Sequence, residues 1–204
     1  MENESKERQI LRAAEELFTT RRYHEVTLDD VCKAAAVGKG TIYRYFKDKD
    51  DLFARVALSG SQELCSMVRG RPLGDGRPFE AHLSELLRDM RTLMGRRREI
   101  FRLMHSEEMR QSSVHNILRG KWMERRRDLH AAVSEIIRAG VSAGAIRPDI
   151  PAEIIASALL GVFRGYVWHR DGDGDLDGEQ MHLQLVDLFL RGATPNSVMK
   201  ETAS

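Results

Sequence analysis

Apolar residues recur at spacings of three and four along most of this 204-residue chain, and no other feature constrains its fold as strongly. Such spacing places apolar side chains on one face of a helix. No segment alternates apolar and polar residues for long enough to form a half-buried strand. We therefore predict an all-α fold of about nine helices. The first helical face consists of Ile10, Ala13, Ala14, Leu17 and Phe18.

Boundary signals divide the N-terminal segment into four helices. Thr27, followed three residues later by Asp30, predicts the start of a second helix, because this pairing caps free backbone N–H groups. A third helix is predicted over residues 39–46, after a turn at Gly38, and Asp48 is predicted to cap a fourth. Two short helices joined by a glycine turn and braced on both sides form a helix-turn-helix, whose recognition helix enters the major groove of DNA.

The predicted third helix carries small, polar and basic side chains that suit contact with DNA. Residues 36–49 hold four Lys or Arg against one Asp, whereas residues 1–56 hold 11 basic and 11 acidic residues. A compact basic spot on a neutral module favours site-specific binding over non-specific coating. The alternative is that these charges are only solvated. The candidate residues are Lys39, Gly40 (for close backbone approach), Thr41, Tyr43, Arg44, Tyr45, Lys47 and Lys49.

The segment from Val26 to Phe53 resembles the signature of the TetR family of transcriptional regulators. The specific element is Gly40-Thr41-x-Tyr43-x-Tyr45-Phe46-x-x-Lys49, and the resemblance covers residues 6–57. It implies a helix-turn-helix DNA-binding domain over residues 1–57 and a helical ligand-binding and dimerisation domain over residues 58–204. It also implies a ligand-responsive regulator, namely a repressor that a small-molecule effector releases from its operator.

The resemblance also implies DNA contacts at individual positions. Thr27, Lys39 and Thr41 match positions that touch the DNA backbone or bases. Tyr43 and Tyr45 match positions that meet phosphate or thymine methyls, and Lys49 matches a phosphate contact. Arg44 lies at a position that varies in the family, and we predict that it reads a base, because arginine binds both acceptors of guanine. One departure is Val37-Gly38-Lys39, where many members have Gly-Val followed by Ser or Thr, so the turn glycine is expected one place later.

A homodimer is predicted to form through the last two helices. Two-fold symmetry would place two recognition helices one turn of duplex DNA apart, on a palindromic operator. Residues 179–190 are apolar on nearly all sides, and family members usually pair through this part of the chain. The alternative is packing within one chain. The predicted interface residues are Leu160, Gly161, Arg164, Gly165, Trp168, Met181, Leu185, Leu188 and Phe189.

Flexible and aromatic side chains in the middle helices are predicted to line an effector pocket. For each of them, an ordinary core position is the alternative. Residues 91–127 hold 11 Lys or Arg against four Asp or Glu. This basic excess is either a solvated surface or an attraction for an anionic ligand, such as an acyl-coenzyme A, or for DNA. The predicted ligand-binding residues are Met90, Met94, Phe101, Met104, His105, Trp122, Phe163 and Tyr166.

The remaining motifs predict no cofactor, metal site or catalytic residue. Asp173-x-Asp175-x-Asp177-Gly178 matches the first half of a calcium-binding loop, but its twelfth position is Gln184 instead of glutamate. A helical small-molecule or calcium-binding module that does not bind DNA is therefore kept as the alternative function. The longest uncharged apolar run, residues 154–163, is too short to span a membrane. Two cysteines form no disulfide framework, and a cytoplasmic location is expected.

Overall fold

The structure is a computed structural model, which describes residues 5–71, 76–105, 113–169 and 178–193. Every regular element within these ranges is helical, which confirms the predicted all-α class. A 3-10 turn at Tyr23–Glu25 lies between the first two α-helices. The nine described helices are α1 (Lys6–Thr20), α2 (Leu28–Ala34), α3 (Lys39–Tyr45), α4 (Lys49–Arg69), α5 (Phe79–Arg96), α6 (Arg98–His105), α7 (Ser113–Ser142), α8 (Ala152–His169) and α9 (Gly178–Ala193).

The chain divides into two compact units. The first consists of Met1–Glu63 together with Met94–Arg126, and the second of Leu64–Leu93 together with Arg127–Ser204. The first unit therefore contains α6 as well as the helix-turn-helix segment. A functional boundary at residue 57 remains a prediction.

The first unit is built around one continuous apolar core. Ile10 and Phe18 of α1 are buried in it, as are Ile42 of α3 and Phe53 of α4. The ring of Phe18 meets the ring of Phe53 edge-on, with 5.1 Å between ring centroids. Ile100 of α6 is buried in the same core. Helix α6 is thus packed onto the helix-turn-helix by the hydrophobic effect.

Arg97, just before α6, binds acidic side chains from two other helices of this unit. Its side chain is only 12% exposed, and its Nε lies 2.7 Å from Oε1 of Glu15 on α1. Its Nη2 lies 2.9 Å from Oε2 of Glu63 on α4, and its Nη1 donates a hydrogen bond to Oγ of Ser59 at 3.2 Å. A Cβ at Gly60 would lie 2.6 Å from Nη1, so the absence of a side chain there makes room for the guanidinium.

The second unit packs most of α5, the C-terminal half of α7, and helices α8 and α9 around its own apolar residues. Leu83, Leu86 and Leu87 of α5 are buried, as are Val133 and Ile137 of α7. The predicted end of the long helix near Gly144 is confirmed, because α7 ends at Ser142 and Gly144 has a φ of +72°. This left-handed conformation, which favours glycine, stops the helix.

Several sequence predictions fall on parts of the chain that the structure does not describe. The acidic loop at residues 171–177, on which the calcium alternative rests, lies outside the described residues. Within the described ranges, no helix has the length and apolarity to cross a membrane. Among the same residues, no three His, Cys, Asp or Glu side chains are grouped so as to hold a metal ion.

Candidate nucleic-acid interface

The start of α2 is held by the predicted capping box. Thr27 Oγ1 accepts a hydrogen bond from the backbone N–H of Asp30, and the backbone N–H of Thr27 donates to Asp30 Oδ2 at 3.0 Å. The Thr27 hydroxyl also donates to Oδ2 at 2.6 Å. The two hydrogen bonds that the Asp30 carboxylate accepts from Thr27 lower the pKa of Asp30. Thr27 is exposed at the N-cap, where a side-chain oxygen satisfies a free backbone donor.

The turn between α2 and α3 differs from the sequence prediction. The residue with a left-handed backbone is Ala36, with a φ of +47°, whereas Gly38 has a φ of −76° and is the N-cap of α3. The expectation that the turn glycine stands one place later than in the family was therefore wrong. Ala36-Val37-Gly38 occupies the place of the family's Gly-Val followed by Ser or Thr. Alanine replaces glycine at the strained position, and glycine replaces the capping hydroxyl.

Helix α3 turns its apolar side inward and its polar side outward. Ile42 is fully buried, as is Phe46 at the C-cap. Tyr43 is 59% exposed, Arg44 is also exposed, and Thr41 is half-buried. A Cβ added at Gly40 would meet no atom within 4 Å, so nothing inside this chain requires glycine there. The side of α3 that faces away from the core is the one predicted to meet DNA.

Arg44 and Tyr45 form a contact that orients the guanidinium. Arg44 Cζ lies 4.9 Å from the centroid of the Tyr45 ring. Its Nη2 donates a hydrogen bond to the Tyr45 hydroxyl at 3.0 Å. A guanidinium stacked on an aromatic ring loses less side-chain freedom when it binds a base edge. The two residues therefore present one oriented donor group at the surface of α3.

Lys49 is tied to the segment between α1 and α2. Its Nζ donates a hydrogen bond to the backbone carbonyl of Tyr23 at 3.0 Å and lies 4.3 Å from the centroid of the Tyr23 ring. The Tyr23 hydroxyl donates to Asp50, and burial together with this contact raises the pKa of Tyr23. An ammonium has three N–H donors, so Lys49 keeps donors for a phosphate while it braces the first turn of α4. The predicted cap of α4 is confirmed, since Asp48 Oδ1 accepts from the backbone N–H of Asp51 at 2.8 Å.

Lys39, the first residue of α3, forms an ion pair with α2. Its Nζ lies 2.7 Å from Oδ2 of Asp29, and this contact raises the pKa of Lys39. Sequence reasoning did not single out Asp29. Its position in the first turn of an exposed, capped helix gave no signal that it would reach α3.

The structure distributes the predicted ligand-binding residues over both units. Met90 and Phe163 are buried in the second unit. In the first unit, Phe101 is buried, while Met94 and Trp122 are half-buried. Met104, also in the first unit, packs against the core of the helix-turn-helix. The side chains of His105 and Tyr166 lie outside the described residues.

The predicted interface residues fall into two groups. Gly161, Arg164, Gly165 and Leu188 are exposed, whereas Leu160 and Phe189 are half-buried and Leu185 is buried within its own chain. The side chains of Trp168 and Met181 lie outside the described residues. Ile154, Val162 and Leu183 are exposed as well; Leu183 lies in the predicted dimer helix, and none of the three is among the predicted interface residues. The signal that could have found Ile154 and Val162 is the long apolar run of α8, which has more apolar surface than one core face needs.

Comparison with known proteins agrees with this geometry. A profile described as bacterial regulatory proteins of the tetR family matches residues 10–56. A profile described as a tetracyclin repressor-like C-terminal domain matches residues 76–193. The chain belongs to the TetR family. It is a DNA-binding transcriptional regulator with a helix-turn-helix at its N-terminus and a helical C-terminal domain.

Individual relatives extend over most of this TetR-family chain. The transcriptional repressor AcnR of Corynebacterium diphtheriae is 24% identical over 194 residues, which are 92% of this chain and 93% of the relative. The regulator UidR of Escherichia coli is 27% identical over 157 residues, 76% of each chain. The solved structure of FadR from Bacillus subtilis in complex with stearoyl-CoA has a TM-score of 0.70 at 21% identity, and covers 91% of this chain and 98% of that one. The structural similarity establishes the shared fold.

Proposed function

We propose that this TetR-family regulator is a cytoplasmic repressor that binds a palindromic operator as a homodimer and is released by a small-molecule effector. The outward side of α3 is the observation that carries the proposal. Ile42 and Phe46 anchor the helix in the core, and Tyr43 and Arg44 are exposed. An anchored helix with outward polar side chains suits base-edge contacts in the major groove.

An exposed apolar stripe on α8 supports the homodimer. Its members recur at helical spacing and so share one face. Two are glycines, at which a facing helix could approach closely, because no atom lies within 4 Å of an added Cβ. Helix α9 packs against α8 and exposes Leu188. The stripe consists of Ile154, Ala158, Gly161, Val162 and Gly165.

The proposed effector has an apolar body and an anionic group. Met90 and Phe163, a flexible and an aromatic side chain, are buried in the second unit. The basic excess of residues 91–127, of which Arg97 is already paired with Glu15 and Glu63, would attract an anion. An acyl-coenzyme A combines both features, and the FadR structure from Bacillus subtilis contains stearoyl-CoA.

Release from DNA follows from linkage between the two binding sites. Two recognition helices fit one face of the duplex when they lie about 34–36 Å apart. An effector that binds better to a dimer with another spacing weakens operator binding by the same coupling free energy. The effector does not need to contact DNA.

Selection of bound duplexes from a random pool tests the DNA-binding part of the proposal. The expected result is an inverted repeat with half-sites about one helical turn apart. Arg44→Ala should relax the preference at one base pair per half-site, worth about 1–3 kcal/mol of discrimination. Lys47→Ala is the control, because Lys47 is an exposed basic residue that follows α3 and lies outside the recognition helix. No enrichment above the starting pool would refute the DNA-binding proposal.

Release of the selected duplex tests the effector class. The probes are stearoyl-CoA, coenzyme A alone and stearate, each added to the preformed complex in a fluorescence anisotropy assay. The proposal expects release by stearoyl-CoA at lower concentration than by either part. Release by none of the three would contradict the acyl-coenzyme A class, but would leave the selected operator valid.

A further inference from the structure

Among the predicted DNA-contact residues of α3, only Lys39 forms an ion pair with a carboxylate in the described part of the chain. Its ammonium lies 2.7 Å from Asp29 Oδ2, and the two side chains are 68% and 53% exposed. An exposed ion pair contributes little to folding, because water and salt screen it. Asp29 is also not needed as a cap, since Thr27 and Asp30 form the capping box of α2. The pair therefore adds little to stability beyond the favourable position of Asp29 in the first turn of α2.

The other carboxylates around this site have structural partners. Asp30 completes the capping box, and Asp48 caps α4. Asp50 accepts the Tyr23 hydroxyl, and Asp51 pairs with Arg55. Asp29 differs from them because its partner is a cation predicted to bind DNA, whereas the partner of Asp30 is the neutral hydroxyl of Thr27.

We propose that Asp29 is a specificity-determining residue, which competes with DNA phosphates for the ammonium of Lys39. On non-specific DNA, Lys39 remains with Asp29, and one cation fewer contributes to phosphate binding. On the operator, base contacts made by the rest of α3 hold a phosphate close enough to displace the carboxylate. The inference rests on the proposed DNA-binding function of α3.

The physical basis is the electrostatic origin of non-specific binding. Each lysine that binds a phosphate releases counterions and strengthens binding to every sequence alike. A carboxylate beside that lysine removes this sequence-independent gain, and it also repels the phosphate itself. Specificity is the difference between two affinities, so weakening the undesired complex raises it. The balance of 11 basic and 11 acidic residues over positions 1–56 is consistent with a module that avoids indiscriminate binding.

Asp29→Asn is the test, measured by fluorescence anisotropy on the selected duplex and on a scrambled duplex of equal length. The variant should bind the scrambled duplex about three- to tenfold more tightly at low salt, with a log–log salt slope steeper by about one. Affinity for the selected duplex should change less, so the ratio of the two affinities should fall. Glu16→Gln is the matched control, since it removes one exposed negative charge from α1. It should leave the ratio unchanged.

A double-mutant cycle separates this role from a general charge effect. In the Lys39→Gln background, Asp29→Asn should no longer tighten binding to the scrambled duplex. If Asp29→Asn still tightens binding to the scrambled duplex in that background, the proposal is overturned. It is also overturned if Asp29→Asn and Glu16→Gln tighten that binding equally. Asp29→Ser is a second variant, and an unchanged melting temperature shows that each variant is folded. An unchanged ratio of the two affinities in both Asp29→Asn and Asp29→Ser would also overturn the proposal. If the wild-type protein binds no duplex selectively, the proposed function fails; if it does and the variants keep its selectivity, only this inference fails.

Discussion

The helix-turn-helix buries nearly all of its large apolar residues, whereas the α8–α9 pair leaves several of its own exposed. In the first, apolar side chains from α1 to α4 close into one core, and Tyr43 is the large apolar or aromatic residue left exposed. In the second, Ile154, Val162, Leu183 and Leu188 are all exposed. Contiguous exposed apolar surface marks an interaction site. The core of the DNA-binding segment is therefore closed within the chain, with α6 contributing Ile100, whereas the α8–α9 surface suits burial against a second copy.

Leu188→Glu should have the largest effect, because it breaks the proposed contact between two copies. Leu188 is 68% exposed in the single chain, so the charge costs little in the monomer. An unpaired charge buried at an interface should weaken the dimer by about 3 kcal/mol. Sedimentation equilibrium measures the change. Met123→Glu is the control, because Met123 is a similarly exposed apolar residue of α7. A dimer of unchanged affinity in Leu188→Glu would show that this surface is not the interface.

Arg97→Met tests how much the ion pairs of Arg97 stabilise the first unit. The substitution leaves Glu15 half-buried without its cation, and we expect a loss of about 2 kcal/mol in the free energy of unfolding. Urea denaturation followed by circular dichroism measures it. Arg102→Met is the control, since the Arg102–Glu99 pair is exposed and should be worth less than about 0.5 kcal/mol. Equal losses in the two variants would contradict a special role for Arg97.

The pH dependence of the same variant provides a further test. Burial raises the pKa of Glu15 above its ordinary value, and Arg97 opposes that rise. An acid with a raised pKa in the folded state binds its proton more tightly there than when unfolded, so its contribution to stability is lost as the pH rises through that pKa. Without Arg97 the pKa rises further. The deficit of Arg97→Met relative to wild type should therefore shrink between pH 7 and pH 5 in urea titrations, and a constant deficit would exclude Glu15 as its cause.

Lys49→Met should reduce both stability and DNA affinity, since Lys49 braces Tyr23 and is predicted to bind phosphate. Loss of the hydrogen bond and of the cation–ring contact should cost about 1 kcal/mol of unfolding free energy. Binding to selected and scrambled duplexes should weaken about equally, with a shallower salt slope. Lys47→Met should weaken DNA binding with no loss of stability. A sequence-selective loss in Lys49→Met would contradict a phosphate contact.

Ala36→Gly should have the smallest effect, and it should be stabilising. A non-glycine residue at a φ of +47° is strained by about 1–2 kcal/mol, which is partly offset by the greater freedom of glycine when unfolded. The expected gain is up to about 1 kcal/mol in urea denaturation. Ala131→Gly, at an exposed position inside α7, should instead destabilise by about 1 kcal/mol. A loss of stability in Ala36→Gly would show that the turn does not adopt this backbone.

Local sequence patterns predicted the helices and their caps with little error. Thr27 and Asp30 form the expected capping box, and Asp48 caps α4 as expected. A capping side chain binds a backbone N–H within one helical turn of itself, so both partners can be read from a short stretch of sequence. The turn glycine was misplaced because alanine stands at the left-handed position and glycine at the N-cap, and only the backbone angles at Ala36 and Gly38 show which one is left-handed.

The all-helical class, the helix-turn-helix and its outward polar face were determined by the sequence, because helical periodicity and capping act between residues close along the chain. Tertiary structure alone decided that Arg97 binds Glu15 and Glu63, that Lys49 lies over Tyr23, and that Asp29 neutralises Lys39. It also decided that Leu185 is buried while Leu188 is exposed. These pairings join different helices, and their energies depend on distance and burial, which no local pattern encodes.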